Sequence, residues 1–302
     1  MDVRHLDLLR ELDDRGSVTA VAAATHRTPS AVSQQLRSAE RAFGAALVEP
    51  HGRGLRLTDA GRVLADAARD VAVALAEAEA RWQEFHGTAA GVVTVAALPS
   101  AATFLLPGVL RELADEPIDV VCTDLDIAEA AYAGQVVDHD IVIAHSASLV
   151  PPDAEDLVVR QLVREPLDIG MAAGHPLASR VRVTADDVAR WPWIGVPPGY
   201  PFDSIRLAVE EATGTRIDVR QRVRDNRLAE ALIGAGDCLA VLPRFTAPGG
   251  DDVVLRPLAG VESGRHVYAI LRADRARRRA VRRVLAALEQ VAAGFDPVPA
   301  TG

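Results

Sequence analysis

The sequence predicts an α/β protein in three parts: an N-terminal winged helix-turn-helix of helices plus a β-hairpin, a long linker helix, and a C-terminal α/β domain of two subdomains. Three observations carry this. Residues 17–57 hold two short helical segments followed by a glycine-rich hairpin, and residues 58–85 form one run with no proline and a single early glycine. From Gly91 onward, strand-like and helix-like segments alternate, the pattern of a mainly parallel sheet covered on both faces.

The first 14 residues, MDVRHLDLLRELDD, are charged and helical. Val18–Ala24 reads as a short helix capped by Ser17, and Thr25–Thr28 as a turn. The next helix is the most informative. Thr28 suits an N-cap, Pro29 the first helical position and Gly44 a C-terminal stop. Val32, Leu36, Ala39 and Phe43 recur at spacings of four, three and four, one stripe at about 100° per residue. Ser30, Ser33, Gln34, Arg37 and Arg41 fall on the opposite side. Gln suits adenine, Arg suits guanine or phosphate, and Ser serves either. An ordinary amphipathic helix with a solvated face would look the same on this segment alone.

The neighbouring hairpin favours nucleic acid. Leu47-Val48 leads to the turn Pro50-His51-Gly52-Arg53-Gly54, then to alternating Leu55, Arg56 and Leu57. Arg53 and Arg56 are placed as backbone phosphate contacts, and Arg27 and Thr28 flank the start of the recognition helix. Between Arg27 and Arg56, five arginines (27, 37, 41, 53, 56) face Glu40 and Glu49, a surplus of three. The net charge of −9 over the chain does not exclude duplex DNA, because screening acts over about 8 Å at physiological salt. The surplus is modest, so a single copy should bind weakly and an oligomer better.

In Thr58–Phe85, the residues Leu64, Ala67, Val71, Ala74, Ala78 and Phe85 form a near-heptad seam with Trp82 near its end. That predicts a helix of about 40 Å whose alanine-rich stripe needs a partner. His86–Gly91 reads as a linker.

Strands are expected at GVVTVAAL, PIDVVCTDLD, HDIVIAHSA, VVRQLVREPLDIGMAAG, WIGVPPG, RIDVRQRVRD, CLAVLP and RHVYAILR, with a last helix over 274–293. The arginines at 275, 277, 278, 279, 282 and 283 read as the solvated side of that helix. The tryptophans and Tyr200 read as packing. Cys122 and Cys238 each sit in an apolar run and are expected to be buried structural thiols; a redox-responsive disulfide is the alternative. All 33 basic residues are arginine. No signal peptide or membrane span of about 20 apolar residues is visible, so the cytoplasm is the expected compartment. No P-loop, G-x-S-x-G, H-E-x-x-H or zinc-type Cys/His spacing occurs, so no catalytic residues and no metal or cofactor are expected. An exported solute-binding module would account for residues 91–302 and leave the winged segment unexplained.

The N-terminal pattern resembles that of the LysR-type transcriptional regulators. The matching residues are Ala22, Ala23, Ser30, Ala31, Val32, Ser33, Gln35, Leu36, Glu40, Gly44, Leu47, Arg53, Leu57, Thr58, Ala60 and Gly61. Val48 stands where the family usually has Phe, and Pro50 where it often has Arg. The motif Gly174-His175-Pro176-Leu177-Ala178 also recurs in the family. The resemblance implies a DNA-binding domain over 1–58, a dimerising linker helix over 59–87, and a periplasmic-binding-protein-like effector domain over 91–302. Its subdomain I would take about 91–164 and 266–302, and subdomain II about 165–265, with crossing strands near 163–167 and 263–267. The implied partners are double-stranded DNA, a second copy in a homodimer and further copies in a tetramer, a small anionic effector, and RNA polymerase. An effector-independent regulator is the alternative. In such a fold ligands sit at strand C-termini and helix N-termini. That places Ser100, Ala101, Thr103 and His145 on one side of the effector pocket, and Gly199, Phe202 and Asn226 on the other.

Overall fold

The computed structural model describes residues 2–52, 54–87, 89–149, 151–247 and 252–295. They form two compact units, residues 1–87 with 273–278, and residues 88–272 with 279–302.

The first unit opens with α1 (Val3–Arg15), capped by Asp2 and ended by Gly16 at φ +68°. Next come α2 (Val18–Ala24) and α3 (Pro29–Phe43). Ser17 accepts from the Ala20 N–H, and Thr28 from the Ala31 N–H, as their sequence positions require. Strands β1 (Val48–His51) and β2 (Gly54–Leu57) pair antiparallel, with Glu49 opposite Arg56. Leu9, Val21, Val32, Leu36, Ala39, Leu47, Leu57 and Ala65 share one core.

Helix α4 (Asp59–His86) starts at Thr58, whose hydroxyl accepts from the Gly61 N–H and donates to the Ala46 carbonyl. Gly61 is there for lack of space. A Cβ on it would stand 2.2 Å from the Leu47 carbonyl oxygen. Within the chain, α4 buries Ala65, Ala68, Ala76 and Ala80. The seam expected from the sequence lies beside that stripe: Leu64, Ala67 and Val71 are half-buried, and Ala74, Ala78 and Phe85 are exposed.

The second unit has two lobes. The first contains β3 (Gly91–Ala97), α5 (Pro99–Glu112), β4 (Ile118–Asp124), two 3-10 turns (Glu129–Ala131 and Ala133–Val137) and β5 (Ile141–Ser146). The 15-residue β6 (Val158–Ala172) then runs through both lobes. The second lobe holds β7 (Val183–Thr184), α6 (Ala185–Val188), β8 (Trp193–Gly195), α7 (Pro201–Thr213), β9 (Val219–Arg222), α8 (Asn226–Gly234), β10 (Leu239–Pro243), β11 (Val253–Arg256) and β12 (Leu258–Ala259). Strand β13 (Gly264–Leu271) returns to the first lobe. The sheet order is β4-β3-β5-β13-β6-β10-β8-β9, with β11 also on β6.

The expectation of a mainly parallel sheet needs correcting. Pairs β3–β4, β3–β5, β8–β9 and β8–β10 are parallel, but every pair made by β6 and β13 within this sheet is antiparallel. The reason is the double crossing: a chain that leaves the first lobe along one strand returns along its neighbour in the opposite sense. The crossing pairs Glu165 with Arg265 and Pro166 with Gly264, and the register shifts between Val267 and Tyr268.

The single terminal helix expected over 274–293 is two helices. Helix α9 (Ala273–Arg277) belongs to the first unit, and α10 (Arg279–Ala293) to the second. The break at Arg278 falls where the chain changes unit. Arg283 is not simply solvated: it pairs with Glu112 at 2.9 Å and Glu116 at 2.7 Å. The cysteine expectation is also overturned. Cys122 is exposed on the edge strand β4, Cys238 is half-buried, and both are free thiols. Partial burial and a neighbouring Asp push both thiols upward, away from the reactive thiolate. No helix among the described residues is long and apolar enough to cross a membrane.

Candidate functional site

Two surfaces concentrate polar groups. The first is the outer side of α3. Val32, Leu36 and Ala39 are buried, while Ser30, Gln34 and Arg37 are exposed and Ser33 is half-buried. Arg27 and Thr28 are exposed at the helix entry, and the Thr28 hydroxyl lies 3.0 Å from that of Ser30. Arg56 is exposed but engaged, donating to Glu49 across the hairpin at 2.6 Å. Its charge is therefore matched locally, which the sequence spacing did not reveal. Arg53 lies outside the described residues.

Several motif residues support this surface rather than belong to it. Gln35 donates to the Arg4 carbonyl at 2.6 Å, tying α3 to α1. Glu40 accepts from the Leu47 N–H at 3.1 Å and fixes the entry to the hairpin.

The second surface is a cavity of about 340 Å³ between the two lobes of the second unit. Ser100, Thr103, His145, Phe202 and Asn226 all line it, as expected. Ala101 and Gly199 do not. Ala101 is fully buried, leaving only its backbone N–H in the first turn of α5, which has no side-chain cap. Gly199 is exposed at φ +86°, where it shapes the turn before α7. Thr103 donates its hydroxyl to the Pro99 carbonyl at 2.8 Å.

Arg265 is the centre of the cavity floor, and sequence reading passed over it. It is 1% exposed and makes a buried ion pair with the fully buried Glu165 at 2.5 Å. Its Nη1 donates to His145 Nδ1 at 3.1 Å and its Nη2 to Ser100 Oγ at 2.8 Å. Its guanidinium lies 5.3 Å from the Phe202 ring centroid. Glu165 also accepts from the Phe245 N–H at 2.9 Å. Burial, reinforced by Arg265, holds His145 well below the ordinary imidazole range, so it is neutral and accepts at Nδ1. The available signal was an acid and a base at facing positions of the two crossing strands. Their separation of 100 residues concealed the pairing.

The rim carries Asp124, Asp126, Arg224, Asp225, Arg227 and Glu230. Arg224 stands 3.7 Å from Asp126, and the Tyr200 hydroxyl donates to the Asp126 carbonyl at 3.4 Å. These contacts link the lobes across the mouth. Burial, with Asp225 adding to it, pushes the carboxyls of Asp126 and Glu230 upward, against Arg224 and Arg227 respectively.

A winged helix-turn-helix followed by a two-lobed domain with a cavity at strand and helix ends defines a class of ligand-responsive regulators. Residues 3–62 match the family model described as bacterial regulatory helix-turn-helix protein, lysR family, and residues 86–293 match the LysR substrate binding domain. The chain belongs to the LysR family. It is 30% identical over 264 residues to the small neutral protease regulatory protein of Streptomyces coelicolor, covering 85% of this chain and 77% of that one. It is 28% identical over 204 residues to the HTH-type transcriptional regulator GbpR of Rhizobium radiobacter, covering 65% of each chain. Against PcaQ of Agrobacterium fabrum the match spans 61% of that protein's length. Among solved structures, full-length OxyR from Pseudomonas aeruginosa superposes with a TM-score of 0.68 at 18% identity, covering 95% of this chain and 94% of that one. CbnR in complex with its target DNA gives 0.55 at 19% identity, covering 97% and 100%.

Proposed function

We propose that this chain is a DNA-binding transcription regulator, acting in the cytoplasm without catalysis, whose promoter contact responds to a small effector held between the lobes. The observation that carries the reading is the two-sided character of α3, with Val32, Leu36 and Ala39 in the core and Ser30, Gln34 and Arg37 facing outward. Gln34 and Arg37 supply bidentate base contacts, Ser30 and Ser33 adjustable ones, and Arg27, Thr28 and the wing arginines Arg53 and Arg56 the backbone contacts. That CbnR has been solved on its target DNA supports the same use of this domain.

The exposed side of α4, with Leu75 at 50%, Trp82 at 64% and Phe85 at 82% exposure, supports pairing with a second copy, and four copies would span two half-site pairs. A carboxylate at the start of α5 is favoured by the helix N-terminus and by Ser100. Its binding changes promoter occupancy only if the two lobe arrangements bind it unequally. RNA polymerase is the proposed partner for activation.

The test is a mobility shift of full-length protein on the intergenic fragment upstream of its own gene. Wild type should shift it at low salt. Gln34→Ala and Arg37→Ala should each lose about 1–3 kcal/mol of sequence discrimination. Absence of any shift, or variants indistinguishable from wild type, defeats the reading.

A further inference from the structure

Helix α10 is carried by α5. A Cβ on Gly108 of α5 would stand 2.8 Å from both methyl carbons of Val291, so the two helices meet there with no side chain to separate them. Arg283 adds the ion pairs to Glu112 and Glu116. The end of α10 is therefore fixed to the first lobe. Directly after it, Phe295 meets two other rings. Its centroid lies 5.0 Å from that of Phe104, at 61°, and 5.3 Å from that of Phe245, at 45°. Phe104 and Phe245 touch as well, edge to face at 5.4 Å and 74°.

These rings come from different lobes. Phe104 stands on α5 in the first, and Phe245 follows β10 in the second. The cluster thus joins the lobes through side chains, in addition to the backbone of the crossing strands. It also sits behind both walls of the cavity. Thr103 and Thr246, the sequence neighbours of Phe104 and Phe245, line that cavity. The Phe245 N–H donates to Glu165, the partner of Arg265 on the cavity floor. A change in lobe spacing must slide Phe245 over Phe104 and Phe295. Ring pairs hold only in edge or offset arrangements with centroids about 4.5–7 Å apart, so such a slide trades ring contact for water.

We infer that Phe295 is a clasp, supplied by the segment after α10, that holds the two lobes at one spacing and so sets the width of the cavity between them. Its consequence for regulation rests on the reading of that cavity as the effector site: a ligand that favours another spacing must first part these rings. A ligand that favours the clasped spacing is helped by them, because the rings have already selected the arrangement it binds.

The experiment uses the two cysteines of the sequence, Cys122 on β4 in the first lobe and Cys238 just before β10 in the second. Full-length protein is spin-labelled at both and diluted with unlabelled protein, so that pulsed electron spin resonance reads the distance within one chain. Wild type should give one narrow distribution. Phe295→Ala should broaden it, or move its mean by more than about 2 Å, the scale of a domain movement rather than of side-chain relaxation. Phe295→Leu, which keeps apolar bulk without the ring, should fall between the two, and it carries the test if the alanine variant melts too early to label. In a Phe245→Ala background, Phe295→Ala should add nothing, since the clasp has no second-lobe ring left to hold. A wild-type distance retained in Phe295→Ala, or an equal added shift in both backgrounds, would overturn the clasp and leave Phe295 as packing. The same proteins are tested for promoter binding separately: absence of a mobility shift by wild type defeats the regulator reading, whereas an unmoved Cys122–Cys238 distance defeats the clasp alone.

Discussion

Replacing Glu165 by Ala tests whether the crossing strands depend on one buried ion pair. Glu165 is 0% and Arg265 1% exposed. One carboxylate oxygen accepts from the Phe245 N–H at 2.9 Å, and the other from Arg265 Nε at 2.8 Å and Nη2 at 2.5 Å. Removal therefore strands three donors and leaves a guanidinium uncompensated in the interior. Breaking a buried pair on one side costs about 3–5 kcal/mol. In a unit of this size each kcal/mol moves Tm by about 2–4 °C, so the second unit should melt about 6–20 °C lower. Glu165→Leu/Arg265→Met should recover most of that loss, because no charge is left behind. Thermal unfolding of the full chain by circular dichroism reads all three proteins. A single variant within about 3 °C of wild type, or a double variant no better than the single, would refute the argument that the pair is locked by desolvation.

Three further outcomes are expected. His145 titrates below its unfolded value, so the unfolded chain takes up its proton first as pH falls below about 6.5. Stability should drop from pH 7.5 to 5.5, and His145→Asn should show a smaller drop; an equal one would contradict the assignment. Gly61→Ala should lower the melting temperature of the first unit, since a Cβ 2.2 Å from the Leu47 oxygen outweighs the roughly 1 kcal/mol that alanine gains in a helix; a more stable variant would contradict this. Trp82→Glu/Phe85→Glu should shift full-length protein toward monomer in light scattering, and an unchanged mass would remove this face from the interface.

Local chemistry made the first unit legible. The Thr28-Pro29 start and Gly44 stop of α3 are signals within a few residues, and the structure keeps all three. The α4 seam was readable as a stripe, but the chain buries the adjacent alanine stripe instead, with α1 and α9 both packed on α4, which periodicity alone does not resolve. The Glu49 partner of Arg56 was missed because it lies across a hairpin, and the break at Arg278 because helical periodicity continues through it. In the cavity, Ser100, Thr103, Phe202 and Asn226 were found because helix starts after strands are visible in sequence. Arg265 and Glu165 were not: the resemblance places crossing strands near 163–167 and 263–267, but not the register that sets these two side chains opposite each other. The exposed Cys122 has the same origin: β4 is apolar in sequence, yet lies at an open sheet edge.

The central claim is that the outward side of α3 reads a duplex. Fluorescence anisotropy of a labelled promoter fragment, titrated with full-length wild type and with Gln34→Ala/Arg37→Ala over a range of salt, measures it directly. Wild type should prefer that fragment over scrambled DNA and bind more weakly as salt rises, while the variant should keep most of the salt dependence and lose the preference. Equal preference in the variant, or no preference in wild type, would contradict the account.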